Sequence, residues 1–206
     1  GPQYAHRYME RLKEYPVKIM LNTMVTNLTK DKVLTILNEE GEQDIQAKAV
    51  VLAMGCRENN RQALNIPGTR PAGILTAGTA QRYLNLDGYL VGKKVFIVGS
   101  GDIGLIMARR MALEGAQVLG VAEVMPYSNG LTRNIVQCLE DFNIPLFLSH
   151  TVTDIKGNQR VEEVTISKVD EHRQPIIGTE QSFDVDAILF SVGLIPDNGL
   201  SKKAGV

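Results

Sequence analysis

The chain has 206 residues, 44% of them hydrophobic and 22% charged, and carries a formal net charge of −1. That composition describes a soluble globular protein of one or two domains, with enough apolar residues to build a core. The balanced charge offers no footprint for nucleic acid or an anionic bilayer. The longest apolar runs, "AVVLAM" and "AILF", fall far below the roughly 20 residues of a membrane span. No nucleic-acid or membrane partner is expected, and the setting is read as cytoplasmic.

In chain order, residues 4–14 read as a short helix with Ala5, Tyr8, Met9 and Leu12 along one stripe. The N-terminal residues lack the apolar centre of a signal peptide, and the chain reads as beginning mid-domain. "VKIML" is expected as a strand, and "KVLTILNEEGEQDIQA" as a hairpin turning near Gly41. "AVVLAMG" reads as a buried strand ending in a glycine. Pro67-Gly68 and Pro71-Ala72-Gly73 then punctuate the chain, and a domain boundary is placed there, giving segments 1–69 and 70–206. Beyond it come a helix near residues 80–84, the strand "KVFIVG", a helix over 103–114, the strand "QVLGVAE", a helix over 133–142 and the strand "IPLFLS". The alternation predicts an α/β fold: a Rossmann-like, doubly wound parallel sheet with β-hairpin or meander insertions.

An internal similarity supports two related dinucleotide-binding folds in tandem, the first incomplete. "NTMVTNL" (22–28) aligns with "SHTVTDI" (149–155). Each follows an apolar run and precedes an alternating hairpin, and the two copies close on "AVVLAMG" and "AILFSVG".

The stretch "KKVFIVGSGDIG" carries the chemistry. After an apolar strand and before an amphipathic helix, Gly99 permits a tight turn, Gly101 lets the backbone approach a pyrophosphate, and Gly104 allows close helix–strand packing. Ser100, Asp102 and Ile103 complete the turn, whose helix N-terminus presents free N–H groups to phosphate. Glu123 ends the next strand, nineteen residues after Gly104, where a carboxylate meets a ribose 2′-hydroxyl. The following "VMPYSN" contains no Lys or Arg, so NAD is expected over NADP. Tyr127 either flanks an adenine or is a plain turn residue.

These residues, with "AVVLAMGCRE" (49–58) and "DAILFSVGLIPDN" (186–198), resemble the FAD- and NAD(P)-dependent flavoproteins of the pyridine nucleotide-disulfide oxidoreductase superfamily. The A-T-G-like element of that superfamily is altered mildly, with Met54 for Thr in one copy and Ser191 for Ala in the other. "IPGTRPAGILTAGTAQRYLN" (66–85) is similar to the large FAD/NAD-binding subunits of sarcosine, hydroxyproline and opine-type dehydrogenases.

The resemblance implies an enzyme in which NAD(H) and a flavin exchange hydride, with the possibility of a dehydrogenase partner subunit. Residues 99–104, Glu123 and Gly193 would hold NAD; Ala53, Met54 and Gly55 would lie beside FAD. Residues 1–69 would be the C-terminal part of an FAD-binding segment, and 70–206 the NAD-binding domain with the start of the return. The FAD glycine turn and the later G-D signature of the family do not occur in this sequence. The chain is therefore expected to be an internal piece that does not retain FAD and is inactive alone. The alternative reading is a non-catalytic dinucleotide-binding subunit or redox-sensing module.

Cys56 and Cys138 form no C-x-x-C pair or metal-ligand spacing. The segment where thioredoxin-reductase-like members carry a dithiol reads "LTAGTAQ". Cys138 is expected in the core and Cys56 in a loop. Arg57-Glu58 either contacts cofactor beside Gly55 or, as the commoner arrangement, forms a local surface ion pair, and the three histidines are read as satisfied surface or strand residues. No metal site is expected.

Overall fold

The computed structural model describes residues 2–206. They form two units, one of residues 2–55 and 197–206, the other of residues 56–196.

In the first unit, helix α1 (Pro2–Leu12) is followed by strands β1 (Met24–Leu28), β2 (Val33–Asn38) and β3 (Gly41–Gln46). These make a three-stranded antiparallel sheet in the order β1-β2-β3. The predicted hairpin turns where expected, with Asn38 opposite Gly41 and Gly41 at φ 107°, a left-handed conformation glycine adopts at no steric cost. Two expected strands do not form. "VKIML" and "AVVLAMG" carry no ladder, and Val51 is 91% exposed. An apolar run becomes a strand only where a neighbour completes its backbone hydrogen bonds, and among the described residues no strand pairs with either run.

The second unit opens with β4 (Cys56–Glu58), so Cys56 lies in a strand rather than a loop. A 3-10 turn (Arg61–Leu64) leads to β5 (Ile74–Thr76), α2 (Ala77–Asn85), β6 (Lys94–Val98), α3 (Asp102–Leu113), β7 (Gln117–Glu123) and α4 (Thr132–Cys138). Another 3-10 turn (Glu140–Phe142) precedes β8 (Leu146–Leu148), β9 (His150–Gly157), β10 (Val161–Lys168), β11 (Gln181–Asp184), β12 (Ala187–Phe190) and β13 (Leu194–Pro196). Helix α5 (Gly199–Ala204) belongs to the first unit, where it packs on β1.

Five strands form a parallel sheet in the order β5-β12-β6-β7-β8. Its alternating side chains separate two cores. Val95 and Ile97 of β6, with Ala187 and Leu189 of β12, face Leu105, Met107 and Met111 of α3 and Ala77 and Ala80 of α2. Phe96, Val98, Ile188 and Phe190 face the other way, against Val152, Ile155, Val164 and Ile166. Helices thus cover one face, while the antiparallel meander β9-β10-β11 covers the other. The predicted meander insertion takes the place that a second helical layer occupies in a fully doubly wound sheet.

The units of contact and the predicted segments divide the chain differently. Residues 56–69 pack with the second unit because β4 pairs with β13 and the backbone around Thr69 bonds to Ile155.

The internal similarity reappears as backbone geometry. Asn22 and Ser149, aligned in the two copies, both adopt left-handed φ, at 52° and 55°. Gly55 and Gly193, which end the copies, do so at 73° and 95°. Each copy contains a three-stranded antiparallel sheet.

Candidate functional site

The sheet reverses its winding between β6 and β12. Such a switch point opens a crevice at the carboxyl ends of the strands. Here those ends are Val98-Gly99 on β6 and Phe190-Ser191 on β12. A cavity of about 990 Å³ lies there, walled by Gly99, Gly101, Glu123, Ser191, Val192 and Gly193 among others. Its volume is at the upper end of the range for small-molecule and cofactor sites.

The three turn glycines have different tasks. Gly99 has φ 97°, and a β-carbon there would run into the Ser191 carbonyl. At Gly104 it would lie 2.5 Å from the Gly99 carbonyl oxygen and 3.0 Å from Ser191 Cβ. These two glycines close the turn against β12. Around Gly101 the space is open, with no atom within 4 Å of such a carbon. Gly101 is also the N-cap of α3, and no side chain caps the helix. The first amides of α3 are therefore left for an anion, which this N-terminus attracts. An uncapped helix start, open space at the cap and a cavity wall together fit the pyrophosphate of a dinucleotide.

Glu123 is 6% exposed, yet it lines the cavity. Its Oε2 accepts hydrogen bonds from the Ser100 N–H (3.0 Å) and the Ser100 Oγ (2.7 Å), and its Oε1 accepts from the Met125 N–H (3.0 Å). Fully buried Ser100 is thereby tied to the end of β7. The Ser100 carbonyl accepts from Ser128 Oγ (3.0 Å), which attaches the following loop to the turn.

Asp102 turns to α4 instead of the cavity. Its Oδ1 accepts from the Leu131 N–H (2.9 Å) and Asn134 Nδ2 (2.8 Å). Those bonds, aided by Arg133, hold its carboxyl below the usual Asp range. Ile103 is exposed, as is Tyr127 on its loop. Of the predicted residues, Gly99, Gly101, Glu123 and Gly193 share one wall system, while Ser100 and Gly104 shape it from behind. Ala53, Met54 and Gly55 lie in the first unit, exposed. A β-carbon at Gly55 would also meet nothing.

The meander contributes residues that the local patterns did not single out. His150 is 7% exposed and lines the cavity; its Nδ1 lies 2.7 Å from the Leu148 carbonyl. Its Nε2 is buried with no hydrogen-bond partner among the described residues, so this histidine is only half satisfied. Arg173 brings a cation to the wall. Beside the cavity, Arg61 is buried and donates to the carbonyls of Ile66 (3.2 Å), Pro67 (2.7 Å) and Thr69, which shapes the 66–69 loop. Glu58, read from sequence as half of a surface ion pair, instead accepts from the Gly78 N–H with both oxygens, at 2.8 and 3.0 Å, and so caps α2. A carboxylate three residues past Gly55 was legible, but the helix it would meet was not.

Cys138 is buried, which pushes its thiol pKa up and makes it a core residue, as expected. Cys56 is exposed. Among the described residues no group of His, Cys, Asp or Glu is arranged to hold a metal ion, and no helix is long and apolar enough to cross a membrane.

The sequence model of the pyridine nucleotide-disulphide oxidoreductase family matches residues 2–206. The chain belongs to that family. Among relatives of this family member, an NADH oxidase of Streptococcus pneumoniae is 32% identical over 113 residues, 52% of this chain and 22% of that protein. An opine oxidase subunit of Agrobacterium tumefaciens is 24% identical over 78% of this chain and 33% of its own length. The alpha subunit of a sarcosine oxidase from Corynebacterium sp. is 28% identical over 74% of this chain and 15% of its own length. The stretch 66–85 points to such opine and sarcosine relatives. The chain thus spans a third or less of each of these three proteins. The fold is shared with the thioredoxin reductase of T. acidophilum, with a TM-score of 0.74 at 23% identity, covering 100% of this chain and 63% of that one. An NAD-dependent persulfide reductase of A. fulgidus gives 0.69 at 20% identity, covering 97% and 36%.

Proposed function

We propose that this chain forms the NAD-binding portion of an FAD-dependent oxidoreductase in which hydride passes between NAD(H) and flavin. The observation that carries the reading is the uncapped N-terminus of α3 at Gly101, with open space in front of it, on the wall of a cavity at the sheet's switch point. On this reading the first amides of α3 bind the pyrophosphate, Glu123 receives the adenosine ribose, and Gly193 leaves room beside the nicotinamide. Bound NAD(H) and FAD supply the hydride chemistry itself. The protein's residues orient the dinucleotide and place charge around it.

Residues 1–69 are proposed as the end of an FAD-binding segment, with Ala53, Met54 and Gly55 on the flavin side, and 70–206 as the NAD-binding domain with the start of the return. The matching left-handed corners at Gly55 and Gly193 support a duplicated origin of the two. Opine and sarcosine oxidase subunits among the relatives support a partner subunit.

Calorimetric titration of this chain with NADH and NADPH tests the binding role. Saturable NADH binding, tighter than NADPH, is expected, because the Glu123 carboxylate repels a 2′-phosphate. Arg173 on the same cavity wall pulls the other way, and tighter NADPH binding would overturn the NAD assignment. Failure of both to bind would overturn the whole reading. Flavin bleaching by NADH in the full-length protein, followed by stopped flow, tests the transfer; a flavin left oxidised would refute it.

A further inference from the structure

An ionised carboxylate has about four acceptor sites, two on each oxygen. Ser100 uses both on Oε2, through its N–H and its hydroxyl, and the Met125 N–H uses one on Oε1. One site remains, on Oε1. The side chain is almost wholly buried, so solvent does not compete for its other bonds. A ribose brings two adjacent hydroxyls, and a carboxylate free of the turn could accept from both. This one has a single acceptor site left for the cavity side.

We propose that Ser100 is a positioning residue that pins the Glu123 carboxylate to the glycine turn, so that Glu123 recognises one ribose hydroxyl only and thereby sets the preference for NAD(H) over NADP(H). The inference rests on the reading of the cavity as an NAD site and deepens it. The Ser100 hydroxyl touches no ligand; it acts by fixing which oxygen faces the cavity. The loop beyond β7 reinforces the arrangement, since Ser128 Oγ holds the Ser100 carbonyl and Gly130 N–H donates to Ser128 Oγ (3.2 Å). Residue 100 cannot shift without moving both strand end and loop.

The test compares NADH with its two adenosine-ribose analogues, 2′-deoxy and 3′-deoxy, on the unaltered chain. The 2′-deoxy analogue should bind about tenfold more weakly, the loss of one hydrogen bond to a charged group, and a loss confined to the 3′-deoxy analogue would overturn the inference. The other should bind within about twofold of NADH. Equal weakening by both analogues would show that both carboxylate oxygens are used and would overturn the inference. In Ser100→Ala only the hydroxyl bond to Oε2 is lost and the residue 100 N–H still donates there, so the loosened carboxylate can turn toward either ribose hydroxyl and away from a 2′-phosphate. The two analogues should then differ by less than about threefold, and the ratio of NADPH to NADH dissociation constants should fall several-fold. An unchanged ratio and an unchanged analogue pattern in a Ser100→Ala protein with near-parental melting would overturn it as well. Glu123→Gln separates the two levels of argument. If it abolishes the discrimination while Ser100→Ala does not, the NAD reading stands and the role of Ser100 falls. If NADH does not bind the unaltered chain, both fall.

Discussion

Replacing Gly101 by Ala separates binding from folding, because the structure assigns this glycine no internal packing task. It sits at φ −67° and ψ 164°, which alanine adopts without strain, and the added methyl meets no protein atom within 4 Å. Reduced freedom of the unfolded chain favours the variant by about 0.4–1 kcal/mol. The poorer helix-capping preference of alanine costs a similar few tenths to about 1 kcal/mol. The two offset, so the melting temperature should stay within roughly 2–4 °C of the parent. Binding should respond quite differently. The methyl fills the space in which a pyrophosphate would meet the α3 amides, and losing one charge-assisted hydrogen bond of about 1.5–3 kcal/mol raises the NADH dissociation constant at least about tenfold. Gly99→Ala is the control with the opposite profile. Its left-handed backbone costs alanine about 1–2 kcal/mol, and overlap with the Ser191 carbonyl adds about 1–3 kcal/mol. Melting should therefore fall by roughly 10 °C. Circular dichroism melts and calorimetric NADH titrations of both variants are the assay. A Gly101→Ala protein that melts like the parent and binds NADH with parental affinity would refute the placement of the pyrophosphate.

Three further predictions concern the frame around the cavity. Arg61→Met should destabilise the protein by about 3 kcal/mol, since three carbonyls lose a charged donor; limited proteolysis should then cut within 66–69, and a loop as resistant as the parent's would contradict this. Glu58→Ala removes the carboxylate from the start of α2 and should cost about 1–2 kcal/mol, with faster amide exchange at residues 77–80. Asp102 gives a pH signature. Its folded pKa is depressed, so its contribution is present above the unfolded value of about 3.9 and is lost as pH falls through the lower folded value. The melting difference between the parent and Asp102→Asn should be steady above about pH 5 and close in stronger acid; a gap that persists there would count against the Leu131 and Asn134 bonds as its source.

Local pattern revealed the second unit well because its strands are two-sided. "KVFIV" alternates between two cores, and the turn that follows needs its glycines for reasons visible in six residues. The same reading failed at "VKIML" and "AVVLAMG", where apolarity suggested burial but strand formation depends on a neighbour elsewhere in space. Spacing placed Glu123 at a strand end; it could not show that Ser100 and Met125 take three of its acceptor sites. Local pattern reads His150 as a satisfied surface or strand residue and does not single out Arg173, because a meander far along the chain folds back to wall the cavity. Glu58 and Gly78 meet across twenty residues, a separation no helical or strand period encodes.

The bare start of α3 also makes ligand occupancy local and countable. The N–H groups of Asp102, Ile103 and Gly104 precede the first intrahelical bond, from Leu105 to Gly101, and no capping side chain shields them. Solvent deuterium should reach the amides of Asp102 and Ile103 early, while buried Gly104 and the strands beside it stay protonated. A bound anion would silence that small group and leave the rest of the exchange map unchanged. The turn is thus a built-in reporter, whose signal distinguishes a dinucleotide seated on the helix from one that merely enters the cavity.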